Sequence, residues 1–265
     1  MHKRSSAFTL IELLAVIAIM VVMTGLIAPA FTGLKSAQDV TKTAYDVAGI
    51  LEQARAYAMA NNTYVFVGIA EVDSSVASSV KPQVTTSASP YGRVAIAVVA
   101  SRDGTRGYDI NNPGDGTTGS WVTNYSKYNA VTTPGANLVA ISKLQYFENA
   151  HMTPLFSTLP NSGGLARQTV TSGSYEIGSA ACKSVTPFDW PLGSALNAGQ
   201  YSFKKVINFD PQGVARIQYQ TNTDTIVQYM EIGLQPAHGN AVSSGADVAA
   251  IQVNAITASI RIYRP

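Results

Sequence analysis

The chain has a single cysteine, Cys182, so it can form no disulfide with itself, and it has no CxxC or Cys/His cluster of the kind that holds zinc. A lone thiol of this sort is expected to be buried and inert. Charge is scarce too, at 13% of residues, with 18 basic side chains against 16 acidic ones. Lys3 and Arg4 lie in the first seven residues; without them the balance is 16 against 16, leaving no basic field to attract nucleic acid. The GxSxG and HExxH patterns and paired His/Cys arrangements are all missing. His151 and His238, the histidines beyond residue 7, have no companion at metal or triad spacing. His151 follows a strand candidate and His238 sits in a Pro236–Gly239 stretch that reads as a turn. The expectation is a protein that is not an enzyme and carries no cofactor.

One pattern needs separate treatment. Gly114-Asp115-Gly116-Thr117-Thr118-Gly119 spells GxGxxG. Nucleotide binding requires a buried strand before those glycines and a helix after them, so that backbone amides can cradle a pyrophosphate. Here Asn111-Asn112-Pro113 precedes and Ser120-Trp121 follows, which reads as a loop. Trp121, Trp190 and the tyrosines are expected to pack in the core and loops.

Against these absences stand two long ordered patterns. The first is Phe8 to Phe31, FTLIELLAVIAIMVVMTGLIAPAF, in which Glu12 is the single charge. A helix of that length reaches roughly 36 Å, enough to cross a hydrocarbon core of roughly 30 Å. Lys3 and Arg4 would hold its start on the cytoplasmic side. A plain anchor does not explain Glu12, because a carboxylate inside a membrane costs a few kcal/mol and normally has a partner. A cut before Phe8 would supply one, since the new α-amino group lies close enough to neutralise Glu12 on a neighbouring subunit. A rival reading takes Leu13 to Met23 as a signal-peptide core and Ala28-Pro29-Ala30 as its cleavage site. That reading leaves Glu12 without a purpose and stops a helical pattern that continues past the cut.

Ser6-Ala7-Phe8-Thr9-Leu10-Ile11-Glu12 followed by an apolar run resembles the class III signal of type IV prepilins and type II secretion pseudopilins. The resemblance implies that prepilin peptidase cuts between Ala7 and Phe8 and methylates Phe8. It implies that Glu12 is the assembly glutamate, and that Pro29 stands where pilins often have a proline. Ala7 occupies the place usually held by glycine. Residues 1–7 are then a leader and residues 8–34 a transmembrane and filament-core helix, in which Gly25 and Pro29 are expected to cause a kink or local melting. Major pseudopilins often pin a loop with calcium, and the candidates for such a site here are Asp103, Asp109 or Asp115. The Asp109–Ser120 stretch has faint EF-hand spacing but ends on Ser120 where a bidentate Glu belongs, so solvated loop acids are the plainer reading.

The second pattern is amphipathic. Val40, Ala44, Val47, Leu51, Ala54 and Ala58 recur at alternating spacings of four and three, which places them on one helical face over residues 35–62. This face is expected to pack on the protein's own sheet. Asn61-Asn62 marks the helix end. Residues 63–265 then read as a β-rich domain with strands at Thr63–Ile69, Arg93–Ala100, Leu138–Phe147, Tyr201–Phe209, Ala215–Gln220, Thr225–Leu234 and Ala249–Tyr263. Stretches 73–90, 103–120, 157–175 and 177–199 read as surface loops. Asp210-Pro211-Gln212-Gly213 is a turn, with proline second and glycine fourth.

The fold class is therefore α+β, a long N-terminal helix on antiparallel strands. The helix end at Ala56 to Asn61, the Phe209–Gly213 turn and a closing strand ending Ile260-Arg261-Ile262-Tyr263-Arg264 resemble the GspH/FimT branch of minor pseudopilins. Closing strands of that branch often carry Thr-Gly, where this chain has Thr257-Ala258. The implied protein is a structural, and by its large loop-rich domain a minor, subunit of a pilus-like or pseudopilus filament. It would be anchored in the inner membrane with its domain outside the cytoplasm, its partners being prepilin peptidase and other pilin subunits. The alternative is a membrane-anchored binding or adhesion domain that does not polymerise.

Overall fold

The computed structural model describes residues 9–74, 92–102, 104, 138–158, 166–182, 188–192, 200–217, 226–239, 241–242 and 247–264, without the side chains of 26–37. Helix α1 runs from Leu10 to Ala60 as one element, with no break in the helical assignment at Gly25 or Pro29, so the local melting expected there is not seen. Thr9 caps its start and Asn61 its end. Asn61 donates through its backbone N–H and its side-chain amide to the Tyr57 carbonyl, each at 3.0 Å. Asn62 then turns the chain in the left-handed region, at φ +48°.

The six stripe residues predicted for α1 are buried to 1% exposure or less, joined by Ala48 and Ile50. They face two antiparallel sheets. The first has the order β3-β2-β1-β8-β9, with β4 also pairing β2. It is built from β1 (Val65–Asp73), β2 (Gly92–Ser101), β3 (Leu138–Ala140), β4 (Gln145–Glu148), β8 (Lys205–Phe209) and β9 (Ala215–Arg216). The second has the order β11-β10-β12-β13, with β5 on β10. Its strands are β5 (Ala150–Thr153), β10 (Tyr229–His238), β11 (Ala241–Val242), β12 (Ala249–Asn254) and β13 (Ile260–Tyr263). One continuous core joins the α1 stripe to Val65, Val67 and Ile69 of β1, Met230, Ile232 and Leu234 of β10, and Ile251 and Val253 of β12.

The first sheet is buried on both faces, which its alternating residues divide cleanly. Val94, Ile96 and Val98 of β2 point to α1, while Ala95, Ala97 and Val99 point away. The far face is covered by a hairpin of β6 (Phe188–Trp190) and β7 (Tyr201–Phe203). Phe188 and Phe203 pack there with ring centroids 5.2 Å apart. Gly68 makes room for them, because a Cβ at that position would lie 2.6 Å from Phe188 and 2.7 Å from Phe203. Strand β6 corrects the reading of 177–199 as loop.

Several other expectations shift. Leu138–Phe147 is two strands rather than one, as is Tyr201–Phe209, where the hairpin strand β7 leads directly into β8 of the sheet beneath. The stretch around His238 is not a turn but the end of β10, and the chain reverses at Gly239, φ +57°. Ala249–Tyr263 divides at a tight turn held by Asn254, whose Oδ1 accepts from the backbone N–H groups of Ile256 and Thr257, both at 3.0 Å. The Asp210 turn forms as expected. The Gly213 N–H donates to the Asp210 carbonyl at 2.8 Å, and Asp210 Oδ1 accepts from Gln212 and Val214 N–H.

Ala258 sits in the β12–β13 turn at φ +47°, buried in the main core. This left-handed geometry is one that glycine adopts without strain and alanine does not. Ala258→Gly relieves about 1 kcal/mol of backbone strain and gives up about 0.8 kcal/mol of methyl burial, so the two nearly cancel. Ala258→Val adds β-branching at positive φ and should lower stability by at least about 2 kcal/mol. Chemical denaturation of the two variants side by side checks both outcomes; equal stabilities would contradict this account of the turn.

Candidate functional site

The site expected from the sequence is the start of α1. Thr9 and Glu12 form a reciprocal capping box. Thr9 donates its backbone N–H to Glu12 Oε2 at 2.9 Å and its hydroxyl to the same oxygen at 2.8 Å, while the Glu12 N–H donates to Thr9 Oγ1 at 3.3 Å. The helix therefore begins directly after the Phe8-Thr9 step, with a carboxylate in its first turn where the unpaired N–H groups favour negative charge. Ala7 and Phe8 lie outside the described residues.

From Leu10 to Met23 the large apolar side chains are 46–83% exposed around the whole circumference, and the domain covers none of this length. A helix that is apolar on every side calls for lipid or other helices as its surroundings. Among the described residues no helix is long and apolar enough to cross a membrane. Side chains are described up to Gly25, and residues 10–25 rise about 24 Å, short of the roughly 30 Å required.

The remaining chemistry-bearing residues are scattered through the domain. His151 Nδ1 lies 2.7 Å from Glu71 Oε1 and ties β5 to β1 across the two sheets. His238 is exposed at the end of β10. Cys182 is buried, and that burial pushes its thiol up to about 12, so it stays protonated and unreactive at neutral pH. Lys205 donates to the Ile177 carbonyl at 2.5 Å, and burial lowers its pKa. Among the described residues no group of three or more His, Cys, Asp or Glu is placed to hold a metal ion. Asp103, Asp109, Asp115 and the glycine-rich Gly114–Gly119 stretch lie outside those residues.

Sequence reasoning missed a buried polar cluster on the far side of the second sheet. Arg167 meets Glu231 with two bonds, Nε to Oε2 at 2.6 Å and Nη2 to Oε1 at 3.1 Å, and both side chains are 0% exposed. Gln252 adds a bond from Nε2 to Glu231 Oε2 at 2.9 Å. Its amide also brackets Gln168, donating to the backbone carbonyl at 2.7 Å and accepting from the N–H at 3.2 Å. Glu231 and Gln252 stand between apolar neighbours in β10 and β12, Met230 and Ile232 in one and Ile251 and Val253 in the other, which was the available clue.

A capped apolar helix, exposed over its first turns and packed on its own domain along one face over its last, joins an N-terminal stalk to an α+β head. Residues 2–28 match the family model of the prokaryotic N-terminal methylation motif, which takes in the Ala7-Phe8 step and Glu12. The chain thus carries the processing signature of type IV pilins and pseudopilins, structural proteins anchored in the membrane through this segment. No curated protein and no solved structure matches the chain.

Proposed function

We propose that this chain is a minor subunit of a type IV pilus-like or type II secretion pseudopilus filament, of the GspH/FimT branch. Prepilin peptidase cuts it before Phe8 and methylates the new N-terminus. The mature helix waits in the inner membrane with the domain outside the cytoplasm, then joins other pilin subunits through helix packing. Glu12 pairs with the amine of a neighbour's Phe8 and sets the axial register between the two. Gly25 and Pro29 soften the helix so that it can bend as it packs. The observation that carries this reading is Glu12, a carboxylate at the head of an apolar helix inside a matched methylation motif.

N-terminal mass spectrometry of the mature protein tests the processing step, with a methylated Phe8 expected. An intact Met1 would instead support an anchored binding domain, and a start at Phe31 an exported soluble protein. Glu12→Ala tests assembly. It should insert in the membrane and be cut normally, yet enter filaments at least about tenfold less, the loss of one desolvated ion pair. Wild-type incorporation of that variant would rule out the assembly role.

A further inference from the structure

The strap formed by residues 166–182 crosses the second sheet and meets β10 at one place. Ile177 donates its N–H to the Glu231 carbonyl at 2.8 Å, and Glu176 and Glu231 make an isolated parallel bridge. A single bridge sets register weakly. A slip by one residue would turn Glu176 toward the main core and Ile177, now 0% exposed within that core, to the opposite side. Few side chains between Ala166 and Glu176 oppose such a slip through burial, Val170 being the buried aliphatic one. What meets Glu231 from the other end of the strap is Arg167, in the two-bond geometry described above. Glu231 is therefore gripped twice by one short segment, through its backbone by Ile177 and through its side chain by Arg167. Its neighbour Glu176 is satisfied separately, accepting from the Ser157 hydroxyl at 2.6 Å and the Ser157 N–H at 3.3 Å.

We infer that the Arg167–Glu231–Gln252 clamp is a register lock, which specifies how the strap meets β10 rather than adding net stability. The physical reason is that bringing two charges out of water offsets most of what their pairing contributes, so a buried ion pair rarely outperforms apolar residues of the same size. What it does supply is a large penalty for any arrangement that separates the partners. The strap's other polar ties to this sheet, the bridge at Ile177 and the two bonds between the Gln168 backbone and Gln252, are uncharged and carry no comparable penalty.

The test is the double variant Arg167→Met/Glu231→Leu of the full chain in detergent micelles, in which no charge is left unpaired. Its melting temperature should stay within about 4 °C of wild type or rise. Amide exchange at Tyr175, Glu176 and Ile177 should quicken about tenfold or more while β12 keeps its protection. A smaller change at those three amides would overturn the inference, because the strap would then be in register without the clamp. A larger fall in melting temperature would overturn it as well, by making the clamp a source of net stability.

Discussion

Arg167→Met alone should lower the stability of the domain by about 3–5 kcal/mol, a large share of the roughly 5–15 kcal/mol typical of a whole protein. The substitution keeps most of the side-chain volume and removes the guanidinium. Glu231 is then a fully buried carboxylate with Gln252 Nε2 as its remaining side-chain donor, and with Glu176 as its cross-strand neighbour. Arg167→Lys should fall between wild type and Met, because an ammonium cannot bond both carboxylate oxygens in one plane. Denaturant unfolding of the full chain measures the series. A loss below about 1 kcal/mol for Met would mean that water reaches Glu231, against the 0% exposure of both partners.

The second large effect is steric. The backbone of Thr153 is enclosed by two glycines, Gly178 of the strap and Gly233 of β10, which pairs directly with Thr153. A Cβ on either would collide with the Thr153 carbonyl group, and at Gly233 it would also stand 2.7 Å from Leu155. Backbone held in a sheet yields little, so Gly178→Ala and Gly233→Ala should each cost about 3 kcal/mol, at the top of the overpacking range. The double variant should depart from the sum of the singles, since both collisions fall on the one Thr153 carbonyl group. Gly49→Ala is the contrast. Nothing lies within 4 Å of its added Cβ, and in a helix interior the change should stabilise by about 1 kcal/mol. If all three substitutions behave alike, close approach to Thr153 is not the reason for those glycines.

How much of this was legible beforehand depends on the distance over which each feature is specified. The face of α1 could be read because its period lies within one helix, and Val40 through Ala58 are buried as the spacing requires. The Asp210 turn was legible for the same reason, four adjacent residues sufficing. The methylation motif around Phe8 was legible because its residues are adjacent in sequence, and residues 2–28 match it. The hairpin over Gly68 was not, since Phe188-Asp189-Trp190 is three residues long and is paired by a segment that begins at Tyr201. The Arg167 clamp was hidden too, because its partners are 64 residues apart and an acid inside a strand does not say which cation meets it. The division of Tyr201–Phe209 was hidden because β7 and β8 join different sheets, which no local pattern records, whereas the halves of Leu138–Phe147 and of Ala249–Tyr263 stay within one sheet.

Helix α1 is at once the exposed N-terminal segment and, along one face, part of the head's core, 51 residues or about 77 Å in one helix whose ladder lacks the bond that Pro29, without an N–H, cannot donate. Its mechanical consequence is that traction at Leu10 is not passed through a flexible tether to the periphery of the head. It travels along the helix axis to Val40, Val47 and Leu51, on the face that packs against the two sheets. Load is thus delivered as shear along the packed face of the helix, spread over the buried side chains of that face.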